Sequence, residues 1–210
     1  MIEIIPAILP KNFADLREKL LLVRGLTRLV QIDICDDKLV FENGLPFWED
    51  FDFEIDLMIR EPENKLDYFI NAGARRIIFH PGITKNLDAI IKKLAGVADV
   101  GLALDWETPI NAVKPFLGKI DTVQVMGIKK IGFQGELFEE TTIDKVAILR
   151  EKYPSLTISV DGGVNFTNAS QLIKAGASQL VIGSAIFGSQ NLKETIEKLL
   201  HTILNKEKDD

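Results

Sequence analysis

Eight short runs rich in aliphatic and β-branched residues recur along this chain, and helical patterning fills most of the gaps between them. The runs are Ile2–Ile5, Arg28–Asp33, Phe53–Met58, Arg76–Phe79, Val100–Leu104, Thr122–Met126, Thr157–Val160 and Gln179–Ile182. Several, such as RIIF and LVIG, are nearly continuous in apolar character. Strands of that kind are covered on both faces, as in a parallel sheet flanked by helices. Eight βα units in one chain predict a (β/α)₈ barrel. The alternative is a doubly wound open sheet. No GxGxxG follows the first strand, which counts against a dinucleotide fold.

The helical segments carry their own signals. Asn12 is placed to cap NFADLREKLLLVRG, in which Phe13, Leu16, Leu20 and Val23 form a stripe and Gly25 follows the last turn. NLDAIIKKLAG, TPINAVKPFLG and TTIDKVAILREKYP read similarly, with Pro115 ending or kinking the second of these. NLKETIEKLLHTIL closes the chain as an amphipathic helix. Asp36 to Asp52 lacks a helix and carries turn signals at Asn43-Gly44 and Pro46, the mark of a functional loop. Ala-Gly-Ala precedes both the fourth and the eighth run, which suggests a half-barrel repeat. The reading is one barrel domain over residues 1–205 and a short charged tail over 206–210.

The net charge of −6 argues against nucleic acid as a partner but allows a small anionic ligand. The single cysteine, Cys35, rules out an intrachain disulfide. MIEIIPAILP does not read as a signal peptide, and no apolar stretch reaches membrane-spanning length. The expectation is a cytoplasmic protein with no membrane partner. A homo-oligomer is compatible with the fold, but no seam is readable.

Acids end three of the runs: VQID at Asp33, FEID at Asp56 and ISVD at Asp161. A single such acid can simply cap a helix. Three on the C-terminal rim of a barrel, where barrel chemistry sits, point to function. Neighbouring strands lie about 4.8 Å apart, so Asp33 and Asp56 would repel unless one takes a proton or a cation. Asp33 and Asp161, three strands apart, can reach a substrate carbon from different faces, as proton removal and return require.

Glycines follow the last three strands. VDGGVN presents Gly162 and Gly163, and IGSAIFGS presents Gly183 and Ser184 at the start of a short helix. Both loops can turn backbone N–H groups toward an anion. IGFQGE adds Gly132 and Gly135 after the sixth strand. Loops after strands seven and eight are the recurrent phosphate site of a barrel.

Taken in order, IPAILPKNFADL, VQIDICDDKLV, EIDLMIREPENKLDYFINAGA, VDGGVN and AGASQLVIGSAIFG resemble the ribulose-phosphate 3-epimerase family from Ile5 to Phe187. The resemblance implies a TIM barrel of the ribulose-phosphate-binding type and a small sugar-phosphate substrate. It implies interconversion of D-ribulose 5-phosphate and D-xylulose 5-phosphate through an enediolate. Asp33 and Asp161 match the family's acid and base, and Met58 and Met126 match apolar residues lining its site. The family's divalent metal is held by these aspartates and two histidines, whose positions here carry Gln31 and Asp56. Ala7 replaces the first-strand serine. The set Gln31, Asp33, Asp56 and Asp161 offers oxygen, which suits Mg²⁺ or Mn²⁺ over zinc, or no metal binds and Lys129 or Lys130 supplies the positive charge. His80, ending the fourth run, is a candidate for the substrate pocket. Two readings compete with epimerisation: sugar-phosphate binding without turnover, and an aldolase using Lys129 or Lys130 as a Schiff base.

Overall fold

The computed structural model describes residues 2–35, 45–46, 49–82, 84, 86–133 and 135–204. Eight parallel strands close into a barrel in sequence order: β1 (Glu3–Ile8), β2 (Leu29–Ile34), β3 (Asp52–Leu57), β4 (Ala74–Phe79), β5 (Asp99–Leu104), β6 (Thr122–Met126), β7 (Thr157–Asp161) and β8 (Gln179–Ile182). Helices α1 (Phe13–Val23), α2 (Leu66–Asn71), α3 (Leu87–Leu94), α4 (Thr141–Lys152), α5 (Ala169–Lys174), α6 (Ser184–Phe187) and α7 (Leu192–Leu204) complete the βα units. The eight expected strands are all present. The first runs on through Pro6 to Ile8, pairing Pro6 with Ile182 and Ala7 with Gln31. The segment after β5 forms a 3₁₀ turn, Ile110–Phe116, in place of the expected α-helix. Pro115 lies inside it, where the missing N–H and the ring would disrupt α-helical bonding. Most of the loop expected between Asp36 and Asp52, and the tail 206–210, fall outside the described residues.

Asn12 caps α1 as its sequence predicts, accepting the Asp15 N–H at 3.0 Å. The Ala-Gly-Ala echo has a local cause. Gly73 and Gly176 take φ of +94° and +107° just after α2 and α5, where a left-handed residue ends a helix and turns the chain into the next strand. A shared helix stop therefore explains the echo without a duplicated half-barrel.

Period-two geometry divides every strand between two environments. In β2, Val30, Ile32 and Ile34 join the large apolar layer between strands and helices, together with residues such as Leu16, Leu20, Ile77 and Leu149. The alternate residues Gln31 and Asp33 are buried on the other face. The same alternation sets Glu54 and Asp56, Gln124 and Met126, and Ser159 and Asp161 on the inner face. Among the described residues, apolar contact inside the barrel forms two small clusters, Ile5/Ala7/Leu29/Val181 and Ile78/Ala103/Met126. The helix-facing layer thus drives folding, and the interior is left free to carry polar groups.

Toward the strands' N-terminal ends the interior is closed by ions. Arg76 on β4 pairs with buried Glu54 at 2.8 Å and donates to Gln179 at 3.1 Å, and Gln179 donates to Glu3 at 2.9 Å. Burial lifts the Glu54 carboxyl to about 7 against the pull of Arg76. At the other end, Gly127 donates its N–H to the Asp161 carbonyl at 2.6 Å, and a Cβ at this position would lie 2.2 Å from the Gly162 carbonyl oxygen. Only glycine lets the loop after β6 sit this close to the end of β7.

Two outcomes follow, both readable by urea denaturation. Arg76→Met leaves Glu54 buried without its cation and should cost about 3–5 kcal/mol. Gly127→Ala should cost about 1–3 kcal/mol by forcing the two loops apart, and it should weaken ligand binding between them.

Candidate active site

The C-terminal ends of the strands surround a cleft lined by Ala7, Asp33, Met58, Met126, Asp161 and the glycines Gly132, Gly135, Gly162, Gly163 and Gly183, with Ser184. Every residue that the sequence assigned to acid–base chemistry or phosphate contact is therefore at one opening. Leu9, Phe133, Glu136 and Val164 also line it and were not anticipated. A broader groove at the opposite end of the barrel, lined by Arg75, Asp99, Lys119 and Asp121 among others, holds no comparable cluster of buried acids.

The cleft floor is a network of buried polar side chains. Gln31 donates one N–H to Asp33 at 2.7 Å and the other to Asp161 at 2.9 Å, tying β2 to β7 across the barrel. Gln124 on β6 donates to Asp56 at 2.9 Å and, more weakly, to Asp161 at 3.4 Å. His80, at the end of β4, stands between two acids, with Nε2 3.0 Å from Asp56 and Nδ1 2.6 Å from Asp105. His80 was expected in the substrate pocket. It is instead fully buried and is not among the residues that line the cleft, and both ring nitrogens are held by carboxylates.

Burial, reinforced by Asp161 and Asp56, raises the Asp33 carboxyl well above its ordinary range. Burial and Asp56 likewise lift Asp161 to about 7, although the Gly162 N–H and Gln31 favour its ionised form. Two such carboxyls bridged by one amide titrate as a pair, and near neutrality the pair retains a proton. Burial alone would lower His80, but Asp56 and Asp105 outweigh it and raise the imidazole to about 10.

The surrounding loops are fixed from outside. Lys145 on α4 donates to the backbone carbonyls of Asp105, Trp106 and Thr108, so the loop after β5 holds the Asp105 carboxylate against His80. Asn165 and Asn168 both donate to the Gly163 carbonyl at 3.0 Å, which pins the Gly162-Gly163 turn. Gly163 has φ of +69°, and its missing Cβ leaves room for the Phe138 backbone. Lys129, a candidate Schiff-base residue, stacks on the Trp106 ring at 4.5 Å and pairs with Glu139 at 3.0 Å. Lys130 is exposed, and neither lysine lines the cleft. His201 lies exposed on α7, away from the site.

Gln124 and Asp105 were missed from sequence, yet each had a signal. VQVM repeats the polar insertion of VQID, and LALD repeats the acid-after-strand pattern that singled out Asp33, Asp56 and Asp161.

The family resemblance implies a divalent metal at this floor. Carboxylate oxygens of Asp33, Asp56 and Asp161 lie within 4.8 Å of one another, so hard-cation donors do converge. Those acids are nevertheless already served by N–H groups. Gln31 and Gln124 turn their amide nitrogens inward, and their Oε1 atoms find no hydrogen-bond partner among the described residues. A ligating amide would present the oxygen. The only imidazole among these groups has both nitrogens engaged. On this occupancy the residues present do not fit a resident divalent ion.

Comparison with known proteins agrees with the geometry. The description "Ribulose-phosphate 3 epimerase family" matches residues 3–187. Ribulose-phosphate 3-epimerase of Schizosaccharomyces pombe is 31% identical over 96% of this chain and 94% of its own. The Bacillus subtilis enzyme of the same name is 30% identical over 95% and 98%. Among solved structures, 3-hexulose-6-phosphate synthase from Salmonella typhimurium superposes with a TM-score of 0.72 at 14% identity, covering 97% of this chain and 99% of that one. This last likeness concerns the fold alone. The chain is a member of the ribulose-phosphate 3-epimerase family.

Proposed function

We propose that the protein epimerises a ketopentose phosphate at C3, with D-ribulose 5-phosphate and D-xylulose 5-phosphate as the interconverted pair. The observation that carries this reading is the amide of Gln31 bridging Asp33 and Asp161 at the floor of a cleft walled by glycine loops. The names and extents of the relatives support the same class of reaction.

The phosphate rests against the loops after β7 and β8, where Gly162, Gly163, Gly183 and Ser184 offer backbone N–H groups. Among the described residues, no lysine or arginine lines the cleft, and Glu136 adds an acid to its wall. Backbone amides are the donors that this described lining offers the group. Anchoring the phosphate there sets C3 between the two aspartates, with Ala7, Met58 and Met126 keeping water from the reacting carbon.

One aspartate, ionised, removes the C3 proton and becomes neutral, and its negative charge passes to the 2,3-enediolate. The other, which holds the shared proton, delivers it to the opposite face of C3. The total charge at the floor is unchanged through both transfers. The Gln31 amide, bonded to both carboxyls, keeps the pair in place as the charge moves. The roles of Asp33 and Asp161 exchange with reaction direction.

Activity then requires one member of the pair protonated and the other ionised. The pH profile of kcat/KM should be a bell: both acids protonated on the low side, both ionised on the high side. Because burial raises both groups, the acid limb should lie above the ordinary carboxylate range. Asp33→Asn and Asp161→Asn should each lower kcat by about 10²–10⁴-fold with circular dichroism unchanged. The direct test is incubation of ribulose 5-phosphate in D₂O. Deuterium at C3 supports epimerisation, binding without exchange favours a carrier, and a fully active Asp33→Asn variant removes the two-aspartate mechanism.

A further inference from the structure

The floor of this cleft has the acids of a metal centre but the hydrogen bonding of a different device. Three carboxylates from β2, β3 and β7 converge, and donors on β2, β4 and β6 reach all of them. Asp33 Oδ1 and Asp161 Oδ2 accept from Gln31, both Asp56 oxygens accept, from His80 and Gln124, and Asp161 Oδ2 also meets Gln124. An amide has two N–H donors and an imidazole at most two. All six are directed at carboxylates, five into the cluster and one to Asp105.

His80 has a geometry that fixes its charge. A neutral imidazole donates from one nitrogen and accepts at the other. Here each nitrogen faces a carboxylate oxygen, at 2.6 and 3.0 Å, and an ionised carboxylate only accepts. With both carboxyls ionised, both nitrogens donate and the ring is an imidazolium; in either state neither nitrogen is left to ligate an ion. The ring sits at full burial, where an ion interacts far more strongly than in water.

We propose that the His80 imidazolium, clamped between Asp56 and Asp105 and joined by the Gln31 and Gln124 amides, replaces the divalent ion of this family, so that the Asp33–Asp161 pair works without a metal. His80 is a positioning residue in this arrangement. It touches Asp56 rather than substrate, and through Asp56 it compensates the extra carboxylate that stands where the family has a histidine. Lys145 belongs to the same device, because its grip on the Asp105, Trp106 and Thr108 carbonyls steadies the outer carboxylate.

The proposal rests on the acid–base reading of Asp33 and Asp161, but its test does not need turnover. The purified full chain, stripped with EDTA, is titrated with Mn²⁺ by calorimetry and by electron paramagnetic resonance. The expected result is no saturable binding up to millimolar Mn²⁺, a melting temperature unmoved by EDTA, and C3 exchange in D₂O undiminished by EDTA. His80→Asn removes one positive charge beside three carboxylates and should gain saturable Mn²⁺ binding, tighter than the parent by about tenfold or more. A purely structural histidine would not create a metal site when replaced. If that variant fails to fold, the titration of the parent chain decides alone. Stoichiometric Mn²⁺ or Zn²⁺ binding by the parent, or exchange lost in EDTA and restored by Mn²⁺, overturns the proposal. An absence of both exchange and metal binding would sink the epimerase reading while supporting the metal-free floor.

Discussion

The interaction on which this site depends is the pair of hydrogen bonds from the Gln31 amide to Asp33 and Asp161. Carboxylates buried together repel, and each loses the hydration that would stabilise its charge. The barrel tolerates them because every one receives an N–H donor from Gln31, Gln124 or His80. That arrangement is possible only where the inner face is largely released from apolar packing. The helix-facing layer, with its continuous aliphatic contacts, supplies that release. Stability and chemistry thus occupy opposite faces of the same strands, one residue apart.

Polar groups extend through the barrel rather than stopping at the rim. Arg76, Glu54, Gln179 and Glu3 close the N-terminal end, and the Gln31/Gln124 layer lies two residues below the acids. Glu54 also contributes to the raised Asp33 carboxyl. The floor is therefore held from below by charge as well as from the side by amides. The loops above it are fixed by different means: close glycine contacts at Gly127 and Gly163, asparagine amides on the Gly163 carbonyl, and the Lys145 clamp. A preorganised site of this kind spends little energy on rearrangement when charge moves.

Much of this was legible in the sequence. Apolar runs and helix stops gave the eight strands in order, because a parallel barrel imposes the same burial on every unit. Asp33 and Asp161 at strand ends and the glycines after β7 and β8 are found at one opening, because barrel topology sends all such ends to the same face. What stayed hidden was direction and pairing. His80 ends a strand much as Asp56 does, yet it serves Asp56 and not the cleft, since Asp105, just after the next strand, takes its other nitrogen. Gln124 looked like an ordinary strand residue because its meaning depends on Asp56 and Asp161, far away in the chain. Lys129 read as a free cation, but Trp106 and Glu139 claim it. Such partnerships are three-dimensional and leave only a faint periodic trace.

The shared proton is the most exposed part of the account. Carbon-13 labelling of the aspartate carboxyls, followed by nuclear magnetic resonance across a pH titration, reads it directly. Raised titration of Asp161, to about 7, together with an Asp33 carboxyl that also resists ionisation, is the predicted result. Two carboxyls that both ionise near 3.8, the ordinary aspartate value, would contradict it.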